Sequence, residues 1–163
     1  MKHSTLMKVA QDVAQESKCV SLSVGAVLVK DGHIISTGYN GTVKGMQNCD
    51  QVVGIAIAME DHHEWSKKNE IHAEMNALLH CPVSTQGSVI YVTDSPCFNC
   101  TKHLAAAGVK EIYYGQLYHR YRTTMKDEWQ EVLDFCTEAG IYLRQLSGDA
   151  YFTMAAPNSP EIY

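Results

Sequence analysis

Between Thr5 and Glu16 the apolar residues Leu6, Val9, Ala10 and Val13 recur at helical spacing, with Ser4 or Thr5 placed to cap the helix. The period then changes. Val24 to Val29 is an unbroken apolar run that Lys30-Asp31-Gly32 turns into His33 to Thr37, so a β-hairpin with an Asp-Gly turn is expected. Gly38-Tyr39-Asn40-Gly41 should end the second strand, because Asn-Gly favours a left-handed backbone. Residues 42–70 hold little regular period, so they read as an insertion over one face with some helix around Val52 to His62. A helix from Asn69 should turn Ile71, Met75, Leu78 and Leu79 inward and stop before Pro82. A strand at Val89 to Val92, a helix at Cys97 to Ala107 ended by Gly108, and a strand at Val109 to Tyr114 follow. Glu128 to Ala139 carries the stripe Trp129, Val132, Leu133 and Cys136 up to Gly140, and Ile141 to Leu146 reads as the last strand. The tail from Ser147, with Pro157 and Pro160, reads as irregular. A hairpin followed by alternating helix and strand predicts the α/β class, as a three-layer α/β/α domain on a mixed five-stranded sheet.

Size and charge narrow this picture. A chain of 163 residues buries roughly 70% of its unfolded surface, enough for a single domain spanning residues 1–163. No stretch approaches the roughly 20 apolar residues of a membrane span, and Met1-Lys2-His3-Ser4-Thr5 lacks an apolar signal core, so a cytoplasmic protein without a membrane partner is expected. Six cysteines in that setting are thiols or metal ligands rather than disulfides. The net charge of −5, without a Lys/Arg run, argues against a nucleic-acid polymer. A single nucleotide needs fewer cations. The best local concentration of them is Tyr118-His119-Arg120-Tyr121-Arg122, where Arg120 and Tyr121 are candidates for substrate binding; the alternative is a solvated loop with an interface aromatic.

The candidate chemistry lies in His72-Ala73-Glu74 and Pro96-Cys97-Phe98-Asn99-Cys100. His72, Cys97 and Cys100 offer one imidazole and two thiolates, so a tetrahedral Zn²⁺ would keep its fourth position for water. Zinc lowers the pKa of such a water from about 15.7 to about 7. Glu74 would stand beside the metal and move protons without being a ligand. The predicted elements put these ligands at two helix N-termini, whose partial positive charge favours thiolate at Cys97 and Cys100. The alternative is a closed zinc staple with a fourth ligand from His80, Cys81 or His103, which leaves Glu74 without a role. A non-catalytic scaffold would carry that marker.

His-x-Glu followed by Pro-Cys-x-x-Cys is the signature of the zinc nucleobase deaminases, with the Glu as general acid and base. Further blocks extend the likeness over nearly the whole chain: Gln15-Glu16-Ser17-Lys18-Cys19, Val24-Gly25-Ala26-Val27, Gly38-Tyr39-Asn40-Gly41, Asn69 to Ala77, and Ser95 to Cys100. The chain resembles the zinc-dependent cytidine and deoxycytidylate (dCMP) deaminases, most closely those of bacteriophages. The resemblance implies the cytidine-deaminase fold and hydrolysis of dCMP to dUMP and ammonia, supplying dUMP for dTMP synthesis. It also implies a homohexamer in the host cytoplasm, with dCTP as activator, Mg²⁺ on the effector's phosphates, and dTTP as inhibitor. By position, Glu74 would deliver protons to N3 and to the departing amine while C4 is attacked. The backbone at Ala73 and Ser95 would line the base pocket. Asn40 would grip the sugar hydroxyl, with simple turn formation as the alternative.

The phage-type proteins also imply a second zinc cluster, here Cys19, Cys49, His62 and Glu70, with His63 able to replace His62. Buried thiols and a surface histidine are the alternative. The effector would bind near Lys18, Tyr39 and Gly41, with a neighbouring subunit. Val20-Ser21-Leu22-Ser23 and Thr42-Val43-Lys44 depart from the family pattern, which often has basic residues after Ser-Lys-Cys and a Pro after Gly-Tyr-Asn-Gly-Thr. Both lie near the surface expected to regulate the enzyme. tRNA adenosine deaminases and free-base deaminases share the four catalytic residues; the acidic charge disfavours tRNA, and Gly-Tyr-Asn-Gly favours a nucleotide.

Overall fold

The computed structural model describes residues 1–158. Helix α1 (His3–Ala14) opens the chain, followed by strands β1 (Gly25–Lys30) and β2 (His33–Tyr39). Two short helices, α2 (Cys49–Val52) and α3 (His62–Asn69), lead to α4 (Ala73–Leu79). Then come β3 (Val89–Asp94), α5 (Phe98–Ala106), β4 (Glu111–Gln116), α6 (Lys126–Ala139), β5 (Tyr142–Ser147) and β6 (Ala150–Ala155). The strands form one sheet in the order β2-β1-β3-β4-β5-β6. β3, β4 and β5 are parallel, and the pairs β1–β2, β1–β3 and β5–β6 are antiparallel.

Alternation along the strands separates two cores. Val27, Val29, Tyr91 and Tyr113 face one side, where Leu6, Met7 and Ala10 of α1 cover them. Ala26, Leu28, Ile90, Val92, Ile112, Tyr114 and Leu143 face the other, against Ala73 and Ala77 of α4, Leu104 of α5, and Val132 and Cys136 of α6. This is the expected three-layer α/β/α arrangement. The hairpin turn has both Asp31 (φ 50°) and Gly32 (φ 76°) left-handed, as a two-residue turn between twisted strands requires.

The sheet has six strands rather than five. Residues 150–155, expected to be irregular, form β6, which pairs with β5 across a turn holding Gly148 at φ 63°. Tyr151-Phe152-Thr153 is a strong β-forming run, and the later prolines fall beyond its end; Pro160 lies outside the described residues. Strand β2 continues through Gly38 and Tyr39 instead of stopping before them, because these residues still pair with Ala26 and Gly25. Helix in the 42–70 segment falls on either side of the expected 52–62, at 49–52 and 62–69, with only a single 3-10 turn at Met59–Asp61 inside it. Helix α4 starts at Ala73, not Asn69, and Leu79 is 64% exposed rather than buried. Helix α1 begins after Lys2, without a side-chain cap from Ser4 or Thr5.

Two glycines let helices lie directly on strands. A Cβ on Gly25 would run into the Ala10 carbonyl of α1, and one on Gly38 into the Ala73 carbonyl and Ala77 amide of α4. Backbone on both sides leaves no flexible side chain to yield. Gly38→Val should therefore cost about 3 kcal/mol, the upper end for overpacking a core, read as a lower urea midpoint at unchanged m-value. A loss below about 0.5 kcal/mol would contradict the close contact.

Candidate functional site

Where α4 and α5 begin, three donors converge. His72 is the N-cap of α4 in extended conformation, and Cys97 is the N-cap of α5, its Sγ accepting from the Cys100 amide at 3.4 Å. His72 Nδ1 lies 3.5 Å from Cys97 Sγ and 3.4 Å from Cys100 Sγ. Zinc bonds of about 2.0 Å to nitrogen and about 2.3 Å to sulfur at tetrahedral angles separate those atoms by about 3.5 Å. The donor set therefore fits a zinc ion. Among the described residues only these three make up this cluster. His80 and His103 bond instead to the carbonyls of Asn76 and Asn99, and the Cys81 thiol lies against the Ile35 and Val83 carbonyls.

The charges are arranged for a cation. A hydrogen bond from Cys100, reinforced by His72, holds the Cys97 thiol down at about 4. The same bond, together with burial, pushes the Cys100 thiol up, so the two sulfurs share one proton. The bond to Cys97 lifts the His72 imidazole to about 9 against the effect of its burial. A dication bound here would thus displace protons from His72 and Cys100. Beside them Glu74 is 4% exposed. Burial pushes its carboxyl up to about 7, while His72 pulls the other way.

The cluster opens into a cavity of about 580 Å³ bordered by Asn40, Glu70, His72, Glu74, Ser95, Cys97, Arg120 and Tyr121. Ser95 is buried, and its hydroxyl accepts from the Tyr118 amide at 2.8 Å, anchoring the turn that brings Arg120 in. Tyr121 stacks on Trp129 at 5.1 Å and donates to the Pro96 carbonyl at 3.3 Å. The Asn40 side chain is engaged within the fold: Oδ1 accepts from the Val24 amide and Nδ2 donates to the Leu22 carbonyl, each at 2.8 Å. Ala73 is fully buried beneath Gly38 and does not border the cavity. Lys18 and Tyr39 are exposed, Gly41 pairs with Ile71, and none of the three reaches the cavity.

The donor atoms of Cys19, Cys49, His62 and Glu70 also lie within 4.8 Å of one another. Cys19 Sγ is 3.4 Å from His62 Nε2, which is 3.7 Å from Glu70 Oε1. That carboxylate oxygen is buried without a hydrogen-bond partner, an arrangement a cation would satisfy. Burial pushes the Cys19 thiol up to about 11 and the Cys49 thiol up as well, so neither is charged without a metal. His62 is the member of this group; its neighbour His63 is exposed.

Sequence reasoning missed Asp94 and Glu128. Asp94 ends β3 immediately before Ser95, and burial raises its carboxyl. Glu128 stands in the first turn of α6 with Oε2 buried and unpartnered. Both border the cavity. Their signal was positional: ligands gather beyond the carboxyl ends of parallel strands, and the segments after β3 and β4 enter this cavity.

An imidazole and two thiols converging beside a buried carboxylate, beyond the carboxyl end of β3, is the layout of a metal-dependent hydrolase. The family model described as the cytidine and deoxycytidylate deaminase zinc-binding region matches residues 1–116, and the chain belongs to that family. Deoxycytidylate deaminase of Enterobacteria phage T2 is 36% identical, covering 85% of this chain and 100% of the relative. That of Enterobacteria phage T4 is 38% identical, covering 82% and 85% respectively. The crystal structure of dCMP deaminase from the cyanophage S-TIM5, in complex with dCMP and dUMP, superposes with a TM-score of 0.68 at 34% identity, covering 90% of this chain and 99% of that one.

Proposed function

We propose that the chain hydrolyses dCMP to dUMP and ammonia, with His72, Cys97 and Cys100 holding a catalytic zinc and Glu74 moving the protons. One observation carries this reading: a buried carboxylate stands beside a three-donor cluster and borders the same nucleotide-sized cavity. The phage relatives that act on dCMP support the choice of substrate.

A zinc ion held by His72, Cys97 and Cys100 would supply an acidified water as the attacking group. Glu74 is placed to hold and move protons between water, N3 of the base and the amine leaving C4. Burial raises the Glu74 carboxyl, which favours a group that can donate a proton as well as accept one. Ser95 and Tyr121 fix the turn that carries Arg120 to the cavity, where a guanidinium suits a single phosphate. Cys19, Cys49, His62 and Glu70 hold a second, structural zinc; the orphaned Glu70 oxygen supports this.

Regulation is the finer part of the proposal. dCTP with Mg²⁺ activates and dTTP inhibits at a surface near Lys18, Tyr39 and Gly41, completed by a neighbouring subunit of a homohexamer. Ammonia release measured on dCMP, dCTP, deoxycytidine and cytosine, each with and without the two effectors, tests the whole reading. dCMP should be preferred by at least about tenfold in kcat/KM, which needs only about 1.4 kcal/mol from phosphate contacts. Equal turnover of deoxycytidine would remove the phosphate role of Arg120. A dCTP titration that changed neither activity nor melting temperature would remove the regulatory one.

A further inference from the structure

The two donor clusters share one short piece of backbone. Glu70 of the second cluster and His72 of the first are two residues apart, and both border the cavity. The segment is extended, with Glu70 at φ −99°, ψ 140° and His72 at φ −66°, ψ 154°, so their side chains leave on the same side and Ile71 leaves on the other. Ile71 is clamped from behind: its amide donates to the Gly41 carbonyl at 2.8 Å, and its carbonyl accepts from the Gly41 amide at 3.1 Å. Gly41 follows Asn40, whose side chain holds Leu22 and Val24 and whose carbonyl accepts from Ser17 Oγ at 2.8 Å. Cys19 lies within that held stretch.

A metal-ligating histidine ordinarily has its second ring nitrogen fixed by a carboxylate or carbonyl. Among the described residues the His72 ring bonds only to the two sulfurs, through Nδ1. Its placement therefore depends on the backbone that carries it. We propose that the second cluster is the positioning device for the first: by tying Glu70 to Cys19, Cys49 and His62, its metal fixes the Glu70–His72 segment and, through Gly41 and Asn40, the cavity wall at Leu22 and Val24. This rests on the two-metal reading given above.

Cys49→Ser tests it, because Cys49 borders neither the cavity nor the first cluster. Zinc is counted per folded chain by native mass spectrometry, its loss to a chelator is timed, and KM and kcat for dCMP are measured separately. The variant should keep one zinc, lose it about tenfold to a hundredfold faster than the wild type loses its catalytic zinc, the scale of orienting contacts around metal sites, and show a raised KM. Release at the wild-type rate with KM unchanged overturns the coupling while leaving two metals in place. A wild type that carries only one zinc overturns the two-metal reading and this inference together. If Cys49→Ser does not fold, slow chelation of the wild type gives the same answer. Loss of the second-cluster ion should be followed at once by loss of the first, so any one-zinc species that accumulates should be inactive; a persistent one-zinc species with full activity on dCMP overturns the proposal.

Discussion

Glu74→Gln should retain its zinc and lose turnover by about 10⁴-fold, the upper range for a lost general acid–base group. Three features set this expectation. Glutamine keeps the volume of a side chain that is 4% exposed, so the packing of α4 against the sheet is preserved. Glu74 is not among the donors of either cluster, so metal content should match that of the wild type. What disappears is the group proposed to carry protons between water, N3 and the leaving amine. Because both transfers run through the same carboxylate, kcat should fall far more than KM changes. The check is steady-state ammonia release alongside elemental analysis of the same preparation. Residual activity above about 1% of wild type would mean another group moves the protons, and Glu128, unpartnered at the cavity edge, would be the first to test.

What the sequence made legible depended on how local the controlling physics was. The His-Ala-Glu and Pro-Cys-Phe-Asn-Cys motifs each start a helix, so the donors of the first cluster were readable from short spacings, and the structure brings these three together. The Asp31-Gly32 turn and the αL end of α6 at Gly140 (φ 77°) were readable for the same reason. The second cluster spans Cys19 to Glu70, and no spacing rule reaches across that distance; only the family likeness offered it, and only the fold chooses His62 over His63. Strand β6 was hidden by the prolines that follow it. The period of Leu79 fits an inward stripe, but α4 ends there and its buried face is made of Ala73 and Ala77, small enough to sit on Gly38. Asn40 shows the reverse case. It borders the cavity as the family likeness implies, yet its side-chain amide is spent on Leu22 and Val24, so any sugar contact needs geometry beyond those two bonds.

Cys97→Ala is expected to abolish activity and reduce zinc from two per chain to one, while leaving a folded protein. The sulfur has two roles. It is a donor of the first cluster, and it is the N-cap of α5, accepting from the Cys100 amide at 3.4 Å. Alanine removes both, and losing the cap alone costs about 1 kcal/mol. With only His72 and Cys100 left, the binding energy that couples zinc to folding is lost as well; for structural zinc sites it is on the order of 10 kcal/mol, and less is expected here because an open site has one protein ligand fewer. The fold should survive because its largest buried side chains, among them Tyr114, Leu28, Ile90, Ile112 and Leu143, pack the sheet without help from the metal. The variant should therefore melt near the temperature of wild type stripped of its first-cluster zinc, with a small further drop from the missing cap. Cys97→Asp separates the two roles, since an aspartate caps a helix well and supplies a carboxylate oxygen in place of sulfur. It should recover the cap and part of the zinc, and with them more melting temperature than activity. Full zinc in Cys97→Ala would show that the first cluster is held by other residues, and the reading of the site built on His72, Cys97 and Cys100 would fall with it.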